Sequence, residues 1–153
     1  MQSNVKLSLS EQDLEAFSQQ LITAQPGPGL IFLRGGLGAG KTTLVRCLCQ
    51  DLGVRSVVTS PSYQLLNSYE CSRGSVVHVD LYRLSDSESL DDLCLEDYMS
   101  EAWLVFVEWP ERFESILPQA DILLDIEIND ERRDYHLSAR TTMGSQWLLA
   151  LGS

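Results

Sequence analysis

A three-layer α/β sandwich with a mostly parallel central sheet is the fold class the sequence predicts. Three observations predict it. Leu30-Ile31-Phe32-Leu33 is a short, uniformly apolar run of the kind carried by a strand buried on both faces. A glycine-rich turn and a helically spaced apolar segment follow it directly. Two further apolar runs, Val76-Val77-His78-Val79 and Leu104-Val105-Phe106-Val107, each end in an acid, Asp80 and Glu108. Strand runs interleaved with helical spacing are the pattern of a layered α/β fold.

The elements follow in order. Residues 10–24 read as a helix, with Ser10 as N-cap, Glu11 and Asp13 in the first turn, and Leu14, Phe17 and Leu21 on one face. Pro26-Gly27-Pro28-Gly29 breaks the chain before the first apolar run. Residues 42–52 form the next helix, ended by Gly53. Val57-Val58 is a short apolar segment leading into Thr59-Ser60-Pro61-Ser62-Tyr63. Strands are predicted over 63–69 and 75–82, separated by a turn at Arg73-Gly74, and an acidic helix carrying Leu90, Leu93 and Leu95 over 86–97. The run at 104–107 leads into Glu108-Trp109-Pro110. Two last strands, 122–128 and 135–140, flank the polar turn Asn129-Asp130-Glu131. From Met143 onward no periodicity stands out.

At 153 residues the default is a single domain spanning 1–153, and a 44% hydrophobic fraction supplies a core. No run approaches the ~18 apolar residues of a membrane span. The first residues lack a signal-peptide layout, so the expected location is cytoplasmic, with no membrane partner. The four cysteines, Cys47, Cys49, Cys71 and Cys94, fit neither a disulfide framework nor a zinc knuckle. Cys47 and Cys49, two apart on a helix, point to different faces, and packing is their expected role.

The net charge is −11, from 11 basic and 22 acidic side chains, and the only lysines are Lys6 and Lys41. Phosphate contacts dominate nucleic-acid affinity, so this chain is expected to bind RNA poorly by itself. Any RNA it serves must be held by another protein.

The segment Gly35-Gly36-Leu37-Gly38-Ala39-Gly40-Lys41-Thr42-Thr43 reads G-x-x-x-x-G-K-T, the P-loop pattern, and sits between strand and helix as that motif demands. Glycines let successive N–H groups turn inward onto phosphate oxygens, and the helix aims its positive end at the same anion. Residues 36–43 are therefore candidate nucleotide-binding residues. Lys41 is placed to reach the β- and γ-phosphates and Thr42 to join a magnesium shell. The implied ligand is a nucleoside triphosphate with Mg2+, and the implied reaction is phosphoryl transfer or hydrolysis.

Ligands in parallel sheets sit at the strands' C-terminal ends, so Asp80 and Glu108 both compete for the metal. One would hold magnesium, directly or through water, while the other orients the attacking water; the residues alone leave that division open. His78 reads first as a packed, hydrogen-bonded histidine. Arg83 suits phosphate contact or an ion pair equally, and Trp109 suits packing by the nucleotide or anchoring of its loop.

Four blocks taken together resemble one family, the bacterial tRNA threonylcarbamoyladenosine biosynthesis ATPases called TsaE, formerly YjeE. The blocks are Leu37–Thr43, Thr59–Tyr63, His78-Val79-Asp80-Leu81-Tyr82-Arg83 and Glu108-Trp109-Pro110, and the likeness runs from about Ser10 to Arg140. Two departures are visible. The family often has an acid where Gly36 stands, and it usually reads T-S-P-T where this chain has Ser62, which keeps the hydroxyl. The resemblance implies binding of ATP and Mg2+, slow hydrolysis in isolation, and work with TsaB and TsaD, which install threonylcarbamoyl on adenosine 37 of tRNAs reading codons that begin with A. TsaC supplies the threonylcarbamoyl-adenylate. It further implies Thr42 and Glu108 as magnesium ligands, Asp80 as a catalytic or water-orienting acid, Thr59–Tyr63 as a nucleotide-sensing switch, and Arg133 as a nucleotide contact; Lys41, Asp80 and Glu108 together are the candidate catalytic residues. tRNA would be met indirectly, through TsaB and TsaD.

Two rivals share the P-loop. A small-molecule kinase needs an acceptor pocket and an arginine-bearing lid. Arg132-Arg133 is the only adjacent arginine pair, and no lid-length insertion is visible. A GTP-operated switch usually carries N-K-x-D, which this sequence lacks.

Overall fold

The computed structural model describes residues 4–61, 65–84, 95–111, 113–115 and 117–152. Among the described residues seven strands form one sheet: β1 (Asn4–Leu9), β2 (Gly29–Arg34), β3 (Leu66–Cys71), β4 (Gly74–Asp80), β5 (Leu104–Glu108), β6 (Ile122–Asn129) and β7 (Arg132–Ala139). Their order across the sheet is β1-β7-β6-β2-β5-β4-β3. The four middle strands, β6-β2-β5-β4, are mutually parallel, while β1–β7, β7–β6 and β4–β3 pair antiparallel. The expected parallel core is present, and antiparallel strands at both margins make the whole sheet mixed. β2 and β5, the most apolar runs, lie inside that core with all residues buried except Arg34.

Helices α1 (Leu14–Ala24), α2 (Lys41–Asp51) and α4 (Thr142–Leu151) cover one face. A 3₁₀ turn at Glu11–Asp13 precedes α1, where the Ser10 amide and hydroxyl both donate to Asp13 Oδ2 at 3.0 and 2.9 Å. Leu14, Phe17, Ser18 and Leu21 form the buried stripe of α1, at helical spacing. Among the described residues, the short helix α3 (Leu95–Met99) and Phe113, Leu117 and Ala120 lie against the other face. Leu90, Leu93 and Cys94 fall outside the described residues, as do Ser62 and Tyr63.

The predicted strands are found with shifted ends. The strand expected over 63–69 is β3 at 66–71, and the 129–131 turn closes the β6–β7 hairpin with Asp130 at φ = 55°. Val57-Val58 belongs to no strand; Val58 is buried and Val57 exposed. Gly53 ends α2 as expected, in the left-handed region at φ = 84°, with the Val54 amide bonded to the Cys49 carbonyl at 3.0 Å. Among the described residues no helix is long and apolar enough to cross a membrane.

Two elements are not among the sequence-predicted ones. β1 pairs along β7, setting Val5, Leu7 and Leu9 against the core. α4 starts at Thr141, whose hydroxyl oxygen accepts from the Gly144 amide at 3.0 Å while its proton goes to Asp121 Oδ1 at 2.6 Å. It drives Trp147 into the core, fully buried, with Nε1 donating to the Leu21 carbonyl at 2.9 Å.

Candidate functional site

The site is set by the registers of three parallel strands. Leu33 of β2 and Asp80 of β4 both stand opposite Glu108 of β5. The chain leaves β2 into the glycine loop at the same edge of the sheet that carries the two acids. Side chains alternate across a sheet. Val76, Leu104 and Phe106 belong to the core on the α2 side. His78 and Asp80 share the parity of Val76, and Glu108 that of Phe106, so all three point toward α2 and the loop. The outward-facing partners Val77, Val79, Val105 and Val107 belong to the core on the other side.

In the loop, Gly38 and Gly40 have φ of 80° and 101°, a region that side-chain-bearing residues rarely adopt. Gly35 is constrained by space instead, since a Cβ there would sit 2.8 Å from the Ile126 carbonyl oxygen. Gly40 is the N-cap of α2, and Lys41 begins that helix. Lys41, Leu44, Val45, Leu48 and Cys49 form the buried stripe of α2. The spacing that buries the leucines therefore also turns Lys41 inward, toward the acids.

Lys41 is 6% exposed, Asp80 5%, Glu108 3% and His78 0%. Lys41 Nζ donates to the Gly35 carbonyl at 2.8 Å, lies 3.9 Å from Glu108 Oε1, and sits 3.7 Å from the centre of the Trp109 ring. Burial holds the Lys41 ammonium below its ordinary pKa of 10.5, against the opposing pull of Glu108, Asp80 and Glu111. The other oxygen of Glu108, Oε2, is hydrogen-bonded to His78 Nε2. Asp80 Oδ1 accepts from the Tyr82 amide at 2.9 Å, and the Tyr82 ring lies against Trp109 with centroids 4.9 Å apart. Trp109 holds φ = 58°, rare for a bulky residue, and that turn places its ring beneath Lys41.

Residues of the loop line two of the cavities among the described residues. One, of about 270 Å³, is lined by residues 37–43 together with Ser60, Asp80, Glu108 and Trp109. The second, of about 240 Å³, shares Gly38, Ala39, Gly40 and Thr43 with the first and is bounded also by Leu9, Glu11, Glu131, Tyr135 and Arg133. Lys41, Thr42, Asp80 and Glu108 thus converge on one cavity, and Arg133 stands at its neighbour. Gly36 lines neither; it faces a groove over β6 and β7 with Arg34 and Asp125. Arg83 is exposed.

Among the described residues, no group of three His, Cys, Asp or Glu side chains gathers to hold a metal. The oxygen donors lining the first cavity are hard ones, the hydroxyls of Thr42, Thr43 and Ser60 and the carboxylates of Asp80 and Glu108. This set fits magnesium, which is commonly held by one or two protein ligands and completed by phosphate and water. Two contacts at the site differ in how far the sequence points to them. The Lys41 bond to Gly35 has no sequence signal. The His78–Glu108 bond has one, because His78 and Asp80 are two apart on a strand and must share a face.

The sheet and the site define an α/β protein built around a strand–glycine loop–helix unit with two buried acids facing it. The chain belongs to the family described as threonylcarbamoyl adenosine biosynthesis protein TsaE, whose sequence model matches residues 8–138. It is similar to the tRNA threonylcarbamoyladenosine biosynthesis protein TsaE of Haemophilus influenzae, at 39% identity over 124 residues covering 81% of this chain and 78% of that one. It is also similar to the protein of that name from Aquifex aeolicus, 39% identical over 81% of this chain and 86% of the relative. The Bacillus subtilis relative of that name is 32% identical over 76% and 72%. A crystal structure of Bacillus subtilis YdiB matches with a TM-score of 0.81, covering 99% of this chain and 96% of that one; at 23% identity the likeness bears on the fold. The family is the one to which the four sequence blocks point.

Proposed function

We propose that this chain is a Mg2+-dependent ATPase of threonylcarbamoyladenosine formation at position 37 of tRNA, and that its nucleotide cycle acts on a TsaB–TsaD complex rather than on the transfer chemistry. The observation that carries the proposal is the convergence of Lys41, Thr42, Asp80 and Glu108 on one cavity beneath a loop with left-handed glycines.

Each residue has a role that follows from its place. The loop amides and the α2 N-terminus receive the phosphates. Lys41 exchanges the Gly35 carbonyl for phosphate oxygens and offsets their charge. Thr42 and Glu108 hold magnesium, which when bound neutralises charge on the phosphates. Asp80, whose Oδ1 is already engaged by the Tyr82 amide, orients the attacking water. Arg133, at the neighbouring cavity, contacts the rest of the nucleotide. A charge of −11 opposes direct tRNA binding, which supports delegation of the tRNA to partner proteins.

The test is phosphate release from ATP by the purified chain and by Lys41→Ala, with tRNA binding measured in parallel. Slow Mg2+-dependent release, lost in Lys41→Ala, with weak tRNA binding at about 0.15 M salt, is expected. Wild-type turnover in Lys41→Ala would remove the ATPase assignment, and tight tRNA binding by the isolated chain would remove the delegation.

A further inference from the structure

His78 is completely buried and lines no part of the nucleotide-facing cavity, so it cannot touch a ligand there. It nevertheless shares the sheet face of Asp80 and Glu108, one pair further into the core than the Asp80–Glu108 pair. Its Nε2 is bonded to Glu108 Oε2, while its Nδ1 has no partner among the described residues. A buried polar atom left without a partner needs a reason. The hydrogen bond to Glu108 is the ring's polar contact among the described residues. The ring is therefore held in the core by one polar tie, and that tie ends on the carboxylate.

The two oxygens of Glu108 are made unequal by this contact. Oε2 is drawn toward the core, and Oε1 faces Lys41 Nζ at 3.9 Å, on the cavity side. We propose that His78 is a positioning residue that fixes the Glu108 carboxylate so that Oε1 is the oxygen offered to magnesium. The proposal rests on the reading of Glu108 as a magnesium ligand. The physical precedent is general: carboxylates that bind metals are themselves held by hydrogen bonds, and removing the outer partner typically weakens metal affinity by ~10–100-fold.

The experiment compares wild type, His78→Leu, His78→Gln, His78→Asn and Glu108→Gln. Mn2+ binding to the protein–ADP complex is followed by electron paramagnetic resonance, and ADP affinity is measured separately in a chelator. The glutamine amide reaches as far as the ring Nε2, whereas the asparagine amide is one methylene short. Expected are Mn2+ affinity lowered ~10–100-fold in His78→Leu and His78→Asn, near-wild-type affinity in His78→Gln, and unchanged metal-free ADP affinity in the three His78 variants. Should His78→Leu fail to fold, the contrast between Gln and Asn decides the matter alone. Equal Mn2+ affinities in all His78 variants, or equal losses in Gln and Asn, overturn the positioning role. If Glu108→Gln loses Mn2+ while the His78 variants do not, the Glu108 assignment survives and only this proposal falls. If Glu108→Gln binds Mn2+ as wild type does, the Glu108 assignment itself is wrong and the proposal goes with it.

Discussion

Lys41 Nζ and Glu108 Oε1 lie 3.9 Å apart at the floor of the loop, both nearly inaccessible to solvent. One comes from the first residue of α2 and the other from the last residue of β5. A buried cation and anion at this distance, with a glycine carbonyl taking the ammonium proton at 2.8 Å, form a polar centre ready to receive a charged ligand. The expected consequences follow from which partner is removed.

Glu108→Ala removes the carboxylate shared between His78 and Lys41. It is expected to raise the magnesium required for ATP turnover or to abolish turnover. Asp80→Asn keeps the shape and is expected to spare nucleotide binding while depressing turnover. Magnesium and ATP titrations of both variants check this. If Asp80→Asn loses magnesium dependence and Glu108→Ala keeps it, the two roles are reversed.

The lowered pKa of Lys41 gives two pH effects of opposite sign. Between the lowered value and 10.5, the unfolded chain holds a proton on Lys41 that the folded chain has lost. Folding stability from this group therefore rises with pH through that window. ATP binding falls over the same window, because a neutral amine no longer offsets phosphate charge. Unfolding free energies of wild type minus Lys41→Met, taken across the window, should rise with pH while wild-type ATP affinity drops. A flat difference would show that the buried ammonium is not perturbed.

Gly144 sits where a Cβ would come 1.9 Å from the Asp121 carbonyl oxygen, the acceptor for the Arg140 amide at 2.9 Å. Gly144→Ala is expected to cost about 2–3 kcal/mol by overpacking, lowering Tm by roughly 5–10 °C. A Cβ at Gly36 would meet nothing within 4 Å. Gly36→Ala should leave Tm nearly unchanged. Thermal melts of both variants check the contrast, and equal shifts would contradict the packing of α4 on Asp121.

The parts of this molecule legible in the sequence are those with a strong local signal. The apolar runs of β2 and β5, the glycine loop, and the acids closing β4 and β5 could all be placed before any coordinates. Apolar runs ending in acids already imply two buried strands with Asp80 and Glu108 at their C-terminal ends; the register that sets the two acids opposite each other is seen only in the folded sheet. What stayed hidden depends on distant chain. α4 was obscured because Gly144, a poor helix residue, stands in its first turn, required there by Asp121 from another element. β1 shows clean alternation, but its strand identity comes from pairing with β7, more than 120 residues away. The cavity bounded by Leu9, Tyr135 and Arg133 exists only once β1 and β7 lie beside the loop.

The most direct test of the account is the affinity of this chain for a TsaB–TsaD complex with ATP, with ADP and with no nucleotide, measured beside multiple-turnover modification of tRNA. A nucleotide cycle that drives a partner must bind that partner differently in its different states. The account predicts affinities that differ among the three states in wild type, a loss of that difference in Lys41→Ala, and repeated rounds of modification only with the wild-type chain. Equal affinities in all nucleotide states, together with full modification by Lys41→Ala, would contradict it.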